Sequence, residues 1–545
     1  MTFLKIRGGR SHNQMWATIV NLMPTLLILA GVGFMSRLPF LLYPPLQSDP
    51  SMYAYFAYAI ARGEVPYRNI VLPHPPIGFV FYSLPAVVFG NNLIAMNLFS
   101  VAIFSLCIVL VYSAARKTFD LKKNHLAIVS ALIFALWPGT FMEAFTSPLE
   151  VILTLFLLVG FYLHILYRRS DSWKPTFAAG FFFGVSLFVK PTSLFMIVAI
   201  VFFELVSRIR TKSLSDMWKW LLPLLAGGLI SSIGCLLWIA LVLNAFDLFI
   251  LQAVKFQTSL QDFLTLSERI FHLRWYLIAH VPLWAFAIAS IFTDHEDRFD
   301  QMMPAIVATV SAVIEISVVN TYYHHLFYLT PLLSISASKG AEKLWLSLTR
   351  FVRGVKSLKP VTLVMLFVVC ISSIAYIDAA TKDLHTVFPS WSPQVFFIND
   401  VTATEKIVGE IVASMSMPNE RIWTSDGSIA LFSERLIQVP DAEEWPVQVF
   451  YDRTWLIHTS LLENGIPKKG LLQPSQFISS WEKHNTRVLV FIRGKGWIPY
   501  PDELLWEGYS GLVGVRDYVI ENYLLVRVIP HPRSGYTYEV WARRT

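Results

Sequence analysis

The residues of this sequence that could do chemistry sit in short turns between long apolar runs. Asp49 opens the segment SDPSMYAYFAYAIARGEVPYRNIVLPHPPIGFVFYSLPAVVFG just where the first apolar run ends. A carboxylate fixed at such a border is well placed to take a proton from an incoming hydroxyl. Glu143 and Glu150 lie in MEAFTSPLE, Lys190 in the turn Val189, Lys190, Pro191, Thr192, and Tyr322, Tyr323, His324 and His325 stand together in a fourth turn. Carboxylates, an ammonium group and imidazoles are the parts from which general acid–base catalysis and anion stabilisation are built.

Each of these residues also has a structural use. Asp49 suits an N-cap, with Pro50 as the first residue of an interfacial helix carrying Tyr53, Tyr55 and Tyr58. The two roles are compatible, because a capping carboxylate at a fixed helix start is also a well-positioned base. Glu150 follows Pro148 at a helix start, where the helix dipole favours an acid. Lys190 can snorkel to the interface. His324 and His325 suit hydrogen bonds at a helix start better than metal ligation, since adjacent residues do not share a helical face. Glu315, inside an apolar run, has no obvious partner in the sequence.

The elements that must position these residues follow from composition. Of 545 residues, 55% are hydrophobic and only 15% charged, and the mean hydropathy is +0.53. A soluble chain of this size needs far more charge to cover its surface, so the sequence is that of an integral membrane protein. The net charge is +7. The tail beyond Lys382 is slightly acidic, so the positive excess belongs to membrane loops and does not form a nucleic-acid patch. Aromatic residues at 14% and only three cysteines exclude a disordered chain and a small disulfide scaffold.

Runs of roughly 20 apolar residues, the length a bilayer core requires, number about eleven. They lie near residues 18–42, 92–115, 125–142, 149–167, 176–189, 192–207, 219–244, 273–292, 302–319, 325–346 and 360–378. Basic clusters at 116–123, 168–174, 208–219 and 339–359 put the N-terminus in the cytoplasm and the tail outside. The acidic loop with Asp294, Glu296, Asp297 and Asp300 is discordant, though acids carry little weight in this rule. With this orientation, the turns carrying Asp49, Glu143, Glu150, Lys190 and the paired histidines all open on one membrane face. Residues 1–380 then form the membrane domain and 381–545 an extracytoplasmic α/β domain. In the tail, Thr402 and Glu405 have capping-box spacing before a helical repeat, and 421–426, 487–494, 523–529 and 536–543 read as strands, with a helix over PSQFISSWEKH.

The first outer loop resembles that of the GT-C glycosyltransferases, in particular the branch of the protein O-mannosyltransferases and the bacterial lipid A aminoarabinose transferases. The features shared are Asp49 after the first span, a small-residue helix, Gly63 with Pro66 and Tyr67, Pro75 with Pro76, and Phe89 with Gly90. The F-V-K-P-T turn at 188–192 and the Y-Y-H-H-L-F-Y-L-T-P run at 322–331 are also similar to segments of that superfamily. The resemblance departs at Pro50, where many relatives carry a second acid, and leaves Glu143 and Glu150 as alternatives for the outer-turn acid.

The resemblance implies a GT-C fold and transfer of one sugar, with inversion, from a polyprenyl-phosphate donor to an acceptor glycan, lipid or protein on the extracytoplasmic face. Asp49 would accept the acceptor's proton, with Glu150 or Glu143 as the second catalytic acid. Lys190, with Arg274 and His324 behind it, would steady the departing lipid phosphate. Tyr53, Tyr67, His74, Tyr323 and His325 are the candidates for holding acceptor or sugar. The resemblance names no certain cofactor; a divalent metal is optional because a lipid phosphate leaves readily without one, and no ligand spacing in the sequence settles the matter. A polytopic transporter or lipid flippase with an outer receptor domain is the rival reading. Against it, the sequence lacks paired hydrophobic repeats, and its polar groups gather at one face and not at mid-membrane. A third reading, a sensor whose tail binds sugar, needs only an anchor and does not explain so many spans.

Overall fold

The computed structural model describes residues 12–38, 49–70, 72–119, 124–137, 140, 148–170, 172–211, 217–255, 266–292, 299, 301–319, 323–351, 400–424, 427–437, 474–494, 515–530 and 536–544. The apolar runs form helices: α1 (His12–Met35), α2 (Asp49–Ala61), α3 (Ile77–Phe89), α4 (Leu93–Thr118), α5 (Asn124–Leu136), α6 (Pro148–Ser170), α7 (Trp173–Leu187), α8 (Ser193–Arg210), α9 (Met217–Leu237), α10 (Leu266–Phe292), α11 (Met303–Val318) and α12 (Thr330–Phe351). By length and composition, Leu93–Thr118, Pro148–Arg168 and Met217–Val242 are each able to cross a membrane, and shorter apolar helices accompany them among the described residues. The expected eleventh run, the domain boundary at 380 and the acids Asp294, Glu296, Asp297 and Asp300 fall outside the described residues.

Close helix packing is set by glycine where no hydrophobic force separates helix from lipid. A Cβ on Gly180 of α7 would lie 2.0 Å from the Leu224 carbonyl of α9, and one on Gly227 of α9 would lie 2.0 Å from the Phe177 carbonyl of α7. The opposite face of α9 exposes Leu222, Leu225, Leu229, Ile230 and Ile233, an apolar surface suited to lipid. Helix α9 continues as a π-helical turn, Trp238–Val242, and a second irregular segment, Phe246–Phe249 followed by Ile250–Lys255, returns toward the first outer loop. Lys339, read from the sequence as part of a basic loop, is instead buried within α12.

The tail supplies α13 (Asp400–Met415), β1 (Arg421–Thr424), α14 (Gly427–Ser433), β2 (Leu436–Ile437), α15 (Pro474–Lys483), β3 (Val488–Gly494), α16 (Val515–Asn522), β4 (Tyr523–Pro530) and β5 (Tyr536–Arg543). The sheet order is β2-β1-β3-β5-β4, with β2, β1 and β3 parallel and β5 antiparallel to both its neighbours. The capping-box reading is corrected here. Helix α13 begins at Asp400, so Thr402 is inside it, and the buried Glu405 accepts a hydrogen bond from Tyr538 of β5 at 3.0 Å. A tertiary contact uses the carboxylate that local spacing assigned to a cap.

Candidate active site

Asp49 is itself the first residue of α2, one place further in than the N-cap position read from the sequence. The helix is not simply interfacial, because Met52 to Ala59 are all buried. Both α3 and the tail helix α14 pack on α2, whose alanines at 54, 57 and 59 are buried. Tyr55 Oη accepts from Ile437 N at 2.8 Å, Tyr58 Oη donates to the Glu434 carbonyl at 3.4 Å, and Arg421 reaches Glu64 at 2.5 Å. Burial raises the phenols of Tyr55 and Tyr58 above the usual tyrosine range.

Helix α2 ends in a Schellman turn: Glu64 N donates to Ala59 O and Gly63 N to Ile60 O, each at 3.0 Å, with Gly63 at φ +91°. This geometry is why the shared G-x-x-P-Y stretch begins with glycine. Three residues past Glu64, Tyr67 holds φ +67°, a left-handed conformation rare for a bulky residue, and is wholly buried. Its hydroxyl donates to the His74 carbonyl at 2.8 Å. Burial raises this phenol well above the usual range too. His74 is half-buried, with its ring 6.4 Å from that of Tyr53 in an edge-on arrangement.

The loop then docks on the F-V-K-P-T turn. Ile77 N donates to the Phe188 carbonyl at 3.1 Å. Gly78 fits because a Cβ there would lie 2.8 Å from Leu149 and 3.1 Å from Val189, the residues preceding Glu150 and Lys190. Lys190 does not snorkel: it is 3% exposed and its ammonium group donates to Glu150, which is completely buried in the first turn of α6. Glu315 of α11 lies near enough to feel the charges of both. It has the partner the sequence did not reveal, since Tyr328 donates to it at 2.6 Å. Tyr328 belongs to the 3₁₀ turn Tyr323–Leu329, which holds part of the Y-Y-H-H run. Glu150, Lys190, Glu315 and Tyr328 therefore form one buried polar cluster, and Gly78, just past the loop of Tyr67 and His74, packs on Leu149 and Val189 at its edge.

The other candidates stand as follows. Tyr323, His324 and the half-buried His325 lie in that 3₁₀ turn, and Arg274 lies on α10. For Asp49, Arg274, Tyr323 and His324 the backbone alone is described, and Glu143 lies outside the described residues. Among the described residues, no three His, Cys, Asp or Glu side chains gather as a metal site.

Two buried polar groups escaped the sequence reading. Arg37, just past α1, is buried, lies 3.7 Å from the Phe104 ring centroid and donates to Ala135 O at 3.0 Å and Thr140 O at 3.1 Å. Its only signal was a cation inside an otherwise apolar run. Some 14 residues beyond Glu150 on α6, about 21 Å along the axis, buried His164 faces buried Glu204 of α8 at 3.1 Å. Trp220 donates to His164 Nδ1 at 3.3 Å, so the ring proton sits on Nε2 toward Glu204, which also pairs with Arg168. This network ties α6, α8 and α9 together at the end away from the candidate site.

The described residues thus hold a buried acid–lysine pair in a bundle whose tail packs on the first outer helix, a pairing that the sequence alone did not reveal. Comparison with known proteins bears on the fold. Residues 73–238 match the family described as dolichyl-phosphate-mannose-protein mannosyltransferase. The crystal structure of ArnT from Cupriavidus metallidurans bound to undecaprenyl phosphate superposes with a TM-score of 0.60 at 12% identity, covering 96% of this chain and 98% of that one. Its apo form gives 0.58 at 13% identity, covering 97% and 98%. An oligosaccharyltransferase from Archaeoglobus fulgidus, tethered with an acceptor peptide, gives 0.48 at 12% identity over 96% of this chain and 74% of that one. No curated protein sequence matches. The chain is a polytopic α-helical membrane protein of the GT-C fold with a C-terminal α/β part.

Proposed function

We propose that the protein is a membrane glycosyltransferase that moves one sugar from a polyprenyl-phosphate donor to an acceptor glycan, lipid or protein on the extracytoplasmic face, with inversion. The observation that carries this reading is the buried Glu150–Lys190 pair, whose preceding residues Leu149 and Val189 pack on Gly78 where the loop of Tyr67 and His74 ends. The fold shared with ArnT, whose crystal structure holds undecaprenyl phosphate, supports a lipid-linked donor.

In this mechanism an acceptor oxygen attacks the anomeric carbon from the face opposite the phosphate. The bond from that carbon to the phosphate oxygen breaks, its electron pair leaves with the polyprenyl phosphate, and the acceptor proton passes to the Asp49 carboxylate. Lys190, held by Glu150, offers a fixed positive charge to the leaving phosphate as its own charge grows, and Arg274 and His324 are further candidates for that task. Glu150, or else Glu143, is the second acid. His74, Tyr53, Tyr67, Tyr323 and His325 hold sugar or acceptor. The basic loops orient the chain with its N-terminus in the cytoplasm and residues 381–545 outside.

Purified protein incubated with a panel of radiolabelled polyprenyl-phosphate sugars and cell-envelope acceptors should transfer label from one of them. Flipping of a labelled lipid across proteoliposomes with no transfer from any donor would replace this reading with a lipid flippase.

A further inference from the structure

Gln252 lies in the irregular segment Ile250–Lys255 and is 1% exposed. Its side chain makes two bonds to the first outer loop across a sequence distance of about 180 residues: Nε2 donates to the Tyr67 carbonyl at 2.9 Å, and Oε1 accepts from Leu72 N at 3.0 Å. One turn earlier, Phe249 sets its ring 5.6 Å from that of Tyr67 and 6.4 Å from that of Phe188 in the Lys190 turn. The segment thus inserts between the loop and the turn, and its one amide joins both ends of the stretch 67–72. The need for such a clamp is visible in the backbone, since Tyr67 is held at φ +67° and strained conformations of this kind persist only when their surroundings over-determine them. Tyr67 passes the constraint on by donating to the His74 carbonyl at 2.8 Å.

We infer that Gln252 is a positioning residue for glycosyl transfer: by clamping Tyr67 and Leu72 it fixes the place of His74 at the acceptor or sugar end of the site. This rests on the transferase reading, but the clamp has a readout of its own. A carboxamide suits the geometry, because its amide nitrogen donates and its oxygen accepts without any change of protonation. Met fills the same space with neither function. Asn keeps both functions on a stem one carbon shorter and cannot span the two partners.

Arg68, inside the clamped stretch, is exposed, so tryptic cleavage after it reports how often the loop opens. In the full chain purified into nanodiscs, Gln252→Met and Gln252→Asn should raise that cleavage about tenfold, the effect of losing one or two buried hydrogen bonds. The thermal unfolding of the chain should change little. The same variants should raise KM for acceptor or donor severalfold with kcat nearly kept. In a His74→Ala background Gln252→Met should add little more, because the two residues act in series. Tyr67→Phe, which keeps the ring and the clamp but loses the bond to His74, should reproduce the KM change without the cleavage change. Unchanged cleavage after Arg68 overturns the clamp. Faster cleavage with unchanged KM, or full additivity with His74→Ala, overturns the positioning role. If wild-type protein transfers no sugar from any donor, the transferase reading fails, while the cleavage experiment still decides whether Gln252 holds the loop.

Discussion

Lys190 donates to Glu150 across 40 residues of sequence, and both side chains are buried where the start of α6 meets the turn between α7 and α8. A buried pair of this kind adds little net stability, since the cost of removing two charges from water roughly cancels their attraction. The proposed role for the pair is therefore in transfer and not in stability.

The first prediction separates that role from a structural one. Glu150→Ala or Lys190→Met alone leaves a buried charge unmatched and should destabilise the protein by about 3–5 kcal/mol. The double variant Glu150→Leu with Lys190→Met removes both charges and should restore much of the folded yield. If the pair serves transfer, turnover stays lost in the rescued protein. Recovery of turnover along with yield would make the pair a packing element.

The glycine seam gives a stability contrast within one helix. Gly227→Ala on α9 drives a methyl group into the Phe177 carbonyl and should cost about 1–3 kcal/mol by prying α7 from α9. Gly234, on the same helix, has nothing within 4 Å of an added Cβ. Gly234→Ala should therefore gain up to about 1 kcal/mol from helix propensity. Thermal unfolding of the two variants tests the ordering, and equal shifts would contradict the seam.

How far the sequence reveals this site depends on the range of each interaction. Hydropathy finds the helices, because burial in lipid is a local property of about 20 residues. It treats Gly180 and Gly227 as weak points, although their lack of a side chain is what the packing uses. The chemistry of Lys190 and Glu150 is legible from type and place, but their pairing is not, since nothing local joins positions 40 apart. Glu315 looked isolated for the same reason until Tyr328 came over it. Gln252 is the hardest case, one amide in ILQAVK whose two partners are in a loop some 180 residues earlier. The Thr402–Glu405 spacing misled because Tyr538 claims the carboxylate.

Alkaline pH should loosen the tail from α2. Tyr55 is neutral when it accepts from Ile437 N, and burial raises its folded pKa above the ordinary value of about 10. A raised pKa gives stability that is full below the unfolded value and is lost as pH climbs past it toward the folded value. Docking should thus be constant up to about pH 9 and weaken above about pH 10. Tyr55→Phe should lower stability by about 1–3 kcal/mol at neutral pH, because a buried N–H loses its acceptor. The same variant should flatten part of the alkaline slope, and an unchanged slope would mean that other buried tyrosines control it.

Topology is read from loops whose charge keeps them in the cytoplasm. A reporter active only outside the cytoplasm, fused after Thr545, should be active. Activity from a cytoplasm-only reporter at the same place would put Glu150, Lys190 and the loop of His74 on the wrong face for an outer-leaflet donor.

Asp49 carries the most exposed part of the mechanism, as the first residue of α2 and the proposed base. Asn keeps the shape of Asp and its ability to accept from the first-turn N–H groups, so Asp49→Asn should fold nearly as well as the native chain. It cannot take a proton, and a positioned general base is typically worth about 10² to 10⁴ in rate. Asp49→Asn should therefore bind donor lipid normally while turnover falls by at least the lower of these factors. A residue that only caps the helix predicts the reverse, with Asp49→Asn close to native activity and Asp49→Ala losing folded protein at a cost of about 0.5–2 kcal/mol. Folded yield and turnover measured together for the two variants distinguish a base from a cap, and near-native turnover in Asp49→Asn would leave the proton to another acceptor.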